Sequence, residues 1–309
     1  METKYSIIVP VFNEEEVVTL FYETMKKEIE PLKETYEIIF VNDGSKDKSE
    51  DILKEMALKD YHVKVVNFSR NFGQQSAELA GLAHSSGEAV IIMDVDLQDP
   101  PSVAMQMIEK WKQGFDVVHG KRKKREGETA FKKLTAYCYY RFLRKITNMD
   151  IPNDTGEFKL YDRKVVDTIL KLPEHNRYLR GLATWVGYKQ TEIEFDRPER
   201  SAGVTKWTLK KMVKLAEDGI LANSVYPLTI SLKLGLLFGV LSCIAFLVFI
   251  ILAICGIYFE LAVWLFPTVS LFASIILCVN GFSNAYIGRI YDEVKGRPNY
   301  IVKDTINLK

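Results

Sequence analysis

The chain has 309 residues, and 41 Lys and Arg stand against 40 Asp and Glu for a formal net charge of +1. Hydrophobic residues make up 48% and charged residues 26%, which excludes a disordered chain, a collagen and a cationic nucleic-acid binder. The mean hydropathy of −0.03 would also exclude a membrane protein, but an average over unlike segments conceals them.

In chain order, Tyr5–Val11 (YSIIVPV) is a short apolar run, and a helical segment follows it to about Glu30. Tyr36–Asn42 (YEIIFVN) is a second strand, stopped by Asp43-Gly44-Ser45, after which Asp47 or Ser49 opens a helix. Val63–Phe68 is a third strand. Gln74–Ser86 follows as a helix whose Ala77, Ala80, Gly81 and Ala83 suit close packing on a sheet. Ala89–Met93 (AVIIM) lacks alternation and reads as a strand buried on both faces. Strands separated by helices imply a doubly wound, mainly parallel α/β sheet with flanking helices. Ligands of such sheets lie beyond the carboxyl ends of the strands. That places the active edge at Asn13-Glu14, Asp43-Gly44, Ser69-Arg70-Asn71 and Asp94-Val95-Asp96. The absence of a Gly-rich loop after the first strand argues against a dinucleotide fold or a P-loop.

Asp94 and Asp96, two residues apart at a strand end, suit a hard divalent cation such as Mg²⁺ or Mn²⁺, with Gln98 as a further oxygen ligand. Pro100-Pro101 stops the strand just beyond. A solvated acidic turn is the plainer reading of such a pair. Further along, Thr129–Ile146 and Trp207–Ile220 set apolar residues at helical spacing against Lys and Arg, as helices of a membrane interface do. Between them, Arg197-Pro-Glu-Arg200-Ser-Ala-Gly203-Val-Thr-Lys206 joins cations to a glycine that permits a turn over the site.

Leu234–Gly288 holds 55 residues and a single charge, Glu260. Its two apolar segments, Leu234–Phe259 and Leu261–Gly288, are each long enough to cross a bilayer, which takes about 20 residues. Without residues 234–309 the chain is balanced, at 36 basic and 36 acidic residues. Lys210, Lys211, Lys214 and Lys233 precede the first segment and Arg289, Lys295 and Arg297 follow the second, while the turn between them has no Lys or Arg. The positive-inside rule then puts both chain ends in the cytoplasm. The expected organisation is a catalytic domain over 1–206, an interface helix and linker over 207–229, a transmembrane hairpin over 230–288 and a cytoplasmic tail over 289–309. The expected location is the plasma (inner) membrane. Cys138, Cys243, Cys255 and Cys278 form no CxxC pair, which suits packing in a reducing compartment.

Three motifs carry a resemblance to a known family: Ser6–Glu15 (SIIVPVFNEE), Val41–Asp47 (VNDGSKD) and Met93–Pro101 (MDVDLQDPP). They resemble family 2 glycosyltransferases of the GT-A fold, and more closely the bacterial polyisoprenyl-phosphate glycosyltransferases, including bactoprenol glucosyltransferases and relatives of dolichyl-phosphate mannose synthase. Asn153–Arg163, Gly203–Trp207 and Glu293–Val302 extend the likeness over nearly the whole chain. Val95 stands where Ala is usual, and Glu157 where relatives often carry Asp.

The resemblance implies a UDP-sugar donor, with Pro10, Phe12, Asn13 and Glu14 lining the nucleotide pocket, Asp43 reading the base edge and Arg70 nearby. Asp94 would lie near ribose or metal, and Asp96 with Gln98 would hold the cation. The acceptor implied is a polyprenyl (undecaprenyl) phosphate within membrane lipids. Glu157 would orient it or act as base, ahead of Asp154, and Arg200, Lys206 and Arg197 would offset the negative charge of two approaching phosphates. The reaction implied is an inverting transfer, with no nucleic-acid partner, and a homo-oligomer is compatible with it. Two other readings are weaker. A processive polysaccharide synthase would need a Gln-x-x-Arg-Trp motif, which Asn176–Arg180 lacks. A sugar-nucleotide sensor or transporter subunit fits poorly with spans lacking Asp, Lys, Arg and His, since such charges mark transport pathways.

Overall fold

Strands β1 (Tyr5–Val11), β2 (Tyr36–Asn42), β3 (Val63–Phe68) and β4 (Ala89–Ile92) lie where the apolar runs place them, paired in parallel in the order β4-β1-β2-β3. The computed structural model describes residues 3–123, 155–174, 179–196 and 261–308, with isolated positions between 237 and 255. The chain divides into two units, Met1–Ala216 with Pro298–Lys309, and Glu217–Arg297.

In the first unit, both faces of the central strands are covered. Ile7, Val9, Ile38, Phe40 and Ile91 belong to the core under α1 (Val18–Ile29), α2 (Ser49–Lys59) and α4 (Pro101–Lys112). Ile8, Val90, Ile92, Ile39, Val41 and Val66 point to the other face, which α3 (Gln74–His84), α5 (Arg163–Lys171) and α6 (Leu179–Trp185) cover. The alternation is that of adjacent strand residues, which face opposite sides of a sheet. Small residues set the approach of α3, because a methyl on Gly81 would come within 2.2 Å of the Ile8 side chain. Burial of such a core drives folding at roughly 25 cal/mol per Å² of apolar surface.

The sheet is larger and more mixed than the sequence suggested. Strands β5 (Val117–Arg122), β6 (Thr155–Asp162), β7 (Gln190–Phe195) and β8 (Val302–Ile306) complete eight strands in the order β7-β5-β6-β4-β1-β2-β3-β8. β6 runs antiparallel to both β4 and β5, and β8 runs antiparallel to β3. The stretch expected as a tail thus supplies an edge strand to the first unit.

Two polar groups make the stability of this unit fall on acidification, in different pH windows. Burial raises the Asp60 carboxyl, but bonds from Tyr22 Oη (2.7 Å), Lys26 Nζ (2.9 Å) and His62 outweigh it and hold the group well below the usual range. Its contribution is therefore present at neutral pH and lost as strong acid protonates it. His119 lies buried on β5 with its Nε2 2.8 Å from Gln190 Oε1, whose own amide donates to Ala183 O. Burial and nearby Lys159 push this imidazole down from 6.5 to about 4. Between those two values the unfolded chain binds a proton that the folded chain refuses, so stability falls as pH falls. The loss across that window is expected to reach at most about 3 kcal/mol. Thermal melts of the parent and His119→Gln from pH 7 to 4 check this. The variant should lose less, and parallel curves would contradict the assignment.

In the second unit, α7 (Leu261–Lys295) begins where the second apolar segment was placed. Among the described residues no helix is long and apolar enough to cross a membrane, so the structure does not show the expected hairpin. Most of the first apolar segment lies outside the described residues, as do the expected interface helices over 129–146 and 207–220.

Candidate active site

The carboxyl ends of β1, β2, β3 and β4 carry the residues anticipated there, and they are bound to one another. Asn13 follows β1 at φ 55°, a left-handed conformation that asparagine tolerates better than most residues. Its amide donates to Ser45 Oγ at 2.9 Å, while its Oδ1 accepts from Lys46 N at 2.7 Å. Glu14 N donates to Ser49 Oγ at 3.0 Å, and Glu15 exchanges bonds with Asp47 and Lys48. The loops after β1 and β2 therefore form one stitched rim. Pro10, paired with Val41 across these strands, and Phe12 lead into it, both half-buried.

Asp43 is 3% exposed and anchors the next loop. Its Oδ1 accepts from Phe72 N at 2.6 Å, and its Oδ2 accepts from Gly73 N at 2.9 Å and Asn71 Nδ2 at 2.8 Å. Burial pushes its pKa up, against the opposing pull of the two amides and of Arg70. A carboxylate offers about four acceptor positions, so a donor on a ligand can still be met after these three bonds. Gly44, at φ +65°, makes the close approach possible, because a Cβ there would lie 2.4 Å from the Arg70 carbonyl carbon. Arg70 itself is exposed, lies over the Phe72 ring at 4.0 Å and donates to Asn71 O.

After β4, Asp94 and Asp96 occupy one tight turn. Gln74 Nε2 donates to Asp94 Oδ1 at 3.0 Å, and Gln98 N donates to Asp96 Oδ1 at 3.1 Å. Leu97 has φ 59°, a conformation that costs a branched residue about 1–3 kcal/mol and recurs at functional turns. Asp96 and Asp99 are 5% and 2% exposed, and Asp99 Oδ2 lies 3.4 Å from Asp94 N. Val95 is buried, consistent with a packing role at that position.

Antiparallel β6 adds a further carboxylate to this edge. Its register pairs Ile92 with Lys159 at the end of β4, so the start of β6, with Glu157, lies at the same sheet edge as the turn that follows β4. Glu157 is half-buried. Arg122, at the end of β5, lies over Gly156, with Nη2 3.1 Å from where a Cβ would be. Sequence reasoning missed Gln74 as a member of this edge, while Arg122 belongs to the run Lys121–Arg125, which reads as a phosphate- or membrane-contacting loop. Gln74 stands at a helix start, a position that carries no local signal of such a role. Asp154, Arg197, Arg200 and Lys206 lie outside the described residues.

Among the described residues no three His, Cys, Asp or Glu side chains group as a metal cage. The donor set nonetheless fits Mg²⁺ or Mn²⁺, which take one or two carboxylates and share the rest of their shell with water and substrate phosphates.

The family model for "Glycosyl transferase family 2" matches residues 6–170. A glycosyltransferase of Bacillus subtilis is 47% identical over 99% of this chain and 95% of its own length. A bactoprenol glucosyl transferase of Shigella phage SfII is 42% identical over 97% of each chain. The crystal structure of glucosyl-3-phosphoglycerate synthase from Mycobacterium tuberculosis with Mn²⁺, UDP-glucose and phosphoglyceric acid matches 71% of this chain and 78% of that one, at 19% identity and a TM-score of 0.48.

Proposed function

The chain belongs to glycosyl transferase family 2, and from that premise we propose that it transfers a sugar from a UDP-sugar to polyprenyl (undecaprenyl) phosphate at the cytoplasmic face of a membrane. The observation that carries this reading is the convergence of Asn13, Asp43, Asp94, Asp96 and Glu157 on one sheet edge. It is supported by full-length similarity to a protein named for bactoprenol glucosyl transfer.

In this reading Pro10, Phe12, Asn13 and Glu14 line the nucleotide pocket, and Asp43 accepts from the base edge with Arg70 alongside. Asp94, Asp96 and Gln98 hold a divalent cation, which supplies Lewis-acid neutralisation of the departing diphosphate. The acceptor phosphate, with a second pKa near ~6, is mostly dianionic at neutral pH and is already a nucleophile. Glu157 then orients the acceptor rather than having to deprotonate it, with Asp154 the nearest alternative. Attack in line with the leaving diphosphate inverts the anomeric configuration. Two anions must meet, so cations are required, and Arg200, Lys206 and Arg197 fill that role, joined by Arg122. The apolar segments 234–259 and 261–288 hold the catalytic domain at the membrane, with both ends cytoplasmic.

A panel of UDP- and GDP-sugars with undecaprenyl phosphate and Mg²⁺ or Mn²⁺ tests the donor assignment. A UDP-sugar should be consumed with release of UDP, and use of a GDP-sugar alone would overturn it.

A further inference from the structure

We infer that the C-terminal strand is a positioning element of the donor site. It reaches that site by two routes, one to the loop that holds Asp43 and one to the rim formed by Ser45 and Asn13, although it follows Glu217–Arg297 in sequence.

The first route is apolar. The Tyr300 ring stacks on Phe68, with centroids 5.0 Å apart and planes 12° from parallel, and Phe68 meets Phe72 edge-on at 5.7 Å. Ile301 O accepts from Ser69 N at 3.0 Å, which fixes the start of the loop from Ser69 to Gly73. That loop supplies the Phe72 and Gly73 amides to Asp43. Pairing of β3 with β8 is irregular between Asn67 and Phe68, setting Val302 opposite Phe68. Bulges of this kind occur beside active sites, where they redirect the chain.

The second route is polar. Asp304 Oδ1 accepts from Asn67 Nδ2 at 2.7 Å, and Asn67 Oδ1 accepts from Asn42 Nδ2 at 3.0 Å. Asn42 Oδ1 accepts from Ser45 N at 3.0 Å, and Ser45 Oγ accepts from Asn13 N. An unbroken line of side chains thus runs from the last strand to the rim of the proposed nucleotide pocket. Asn42 and Asn67 are buried, where amides with defined partners hold a single arrangement. The far end of the strand is pinned by Asn307, whose Nδ2 donates to Ala57 O and Val63 O.

The inference rests on the reading that Asp43 meets the donor, so its test separates the two. In the full-length protein without ligand, Tyr300→Ala should speed hydrogen exchange at the Phe72 and Gly73 amides, and Asp304→Ala at the Ser45 and Asn13 amides. UDP should bind both variants about tenfold more weakly, the size expected for one lost aromatic pair or buried hydrogen bond. The KM for donor should rise by a similar factor, while kcat and the KM for lipid acceptor stay near the parent values. Tyr300→Phe and Asp304→Asn should restore binding, since the ring and the acceptor oxygen are kept. Tyr300→Leu keeps apolar bulk without the ring, and it should behave as Tyr300→Ala does even if the alanine variant folds poorly. Unchanged exchange and UDP affinity in the folded variants would overturn the inference. Failure of the parent protein to bind UDP would instead overturn the donor reading.

Discussion

Asp96→Ala is expected to reduce sugar transfer by roughly a thousandfold or more, because a bound cation contributes several kcal/mol to stabilising transition-state charge. The fold should tolerate the change. Among its contacts the alanine loses the bond from Gln98 N, worth about 1 kcal/mol. Rate and melting temperature should therefore separate, with turnover nearly abolished and the melt shifted by only a few degrees. Near-normal turnover at saturating Mg²⁺ or Mn²⁺ would remove Asp96 from the reaction.

The second large effect is expected at Asp43, where rate and stability should fall together. Asp43→Ala leaves the Phe72 and Gly73 amides and the Asn71 side chain without their acceptor. Each buried donor so stranded costs about 1–3 kcal/mol, and partial access of water to the loop brings the expected total to about 2–4 kcal/mol. The same change deletes the acceptor proposed for the base, so the KM for donor should rise by at least about tenfold. In the parent protein, burial raises the Asp43 pKa, and protonation removes an acceptor. Donor affinity should consequently weaken on acidification, and at a higher pH than an unburied aspartate would set. A KM for donor that does not rise on acidification, or an Asp43→Ala protein with parental stability and KM, would contradict this role.

The parts of the molecule that were legible in sequence are those governed by local pattern. β1 to β4 are continuous apolar runs ended by Asn13, by Asp43-Gly44 and by Asp94-Val95-Asp96, and parallel strands put such ends on one edge. The small residues of α3 likewise announced a close approach, which Gly81 makes against Ile8. What sequence did not disclose depends on pairing between distant segments. Glu157 comes to the edge beyond β4 only because β6 runs antiparallel to β4, and no short-range signal reports such a pairing. The bonds from residues 71–73 to Asp43 arise from two loops brought side by side by the sheet. They show that residue to be a loop anchor, beside the ligand contact proposed for it. β8 was concealed by position, since it pairs with β3 across more than two hundred residues and reads by itself as a polar tail. The apolar segments from 234 to 288 remain a sequence argument, as only α7 among them is described as a continuous helix.

The central claim is that this strand-end site transfers a sugar to a lipid phosphate. The most direct measurement incubates the purified full-length protein with sugar-labelled UDP-sugars, a divalent cation and undecaprenyl phosphate, and then partitions label between water and organic solvent. The account predicts label in the organic phase as a polyprenyl-phosphate sugar, dependent on the acceptor and lost in Asp96→Ala. Label that stays in water with every donor, whether as free sugar, nucleotide sugar or polymer, would contradict it.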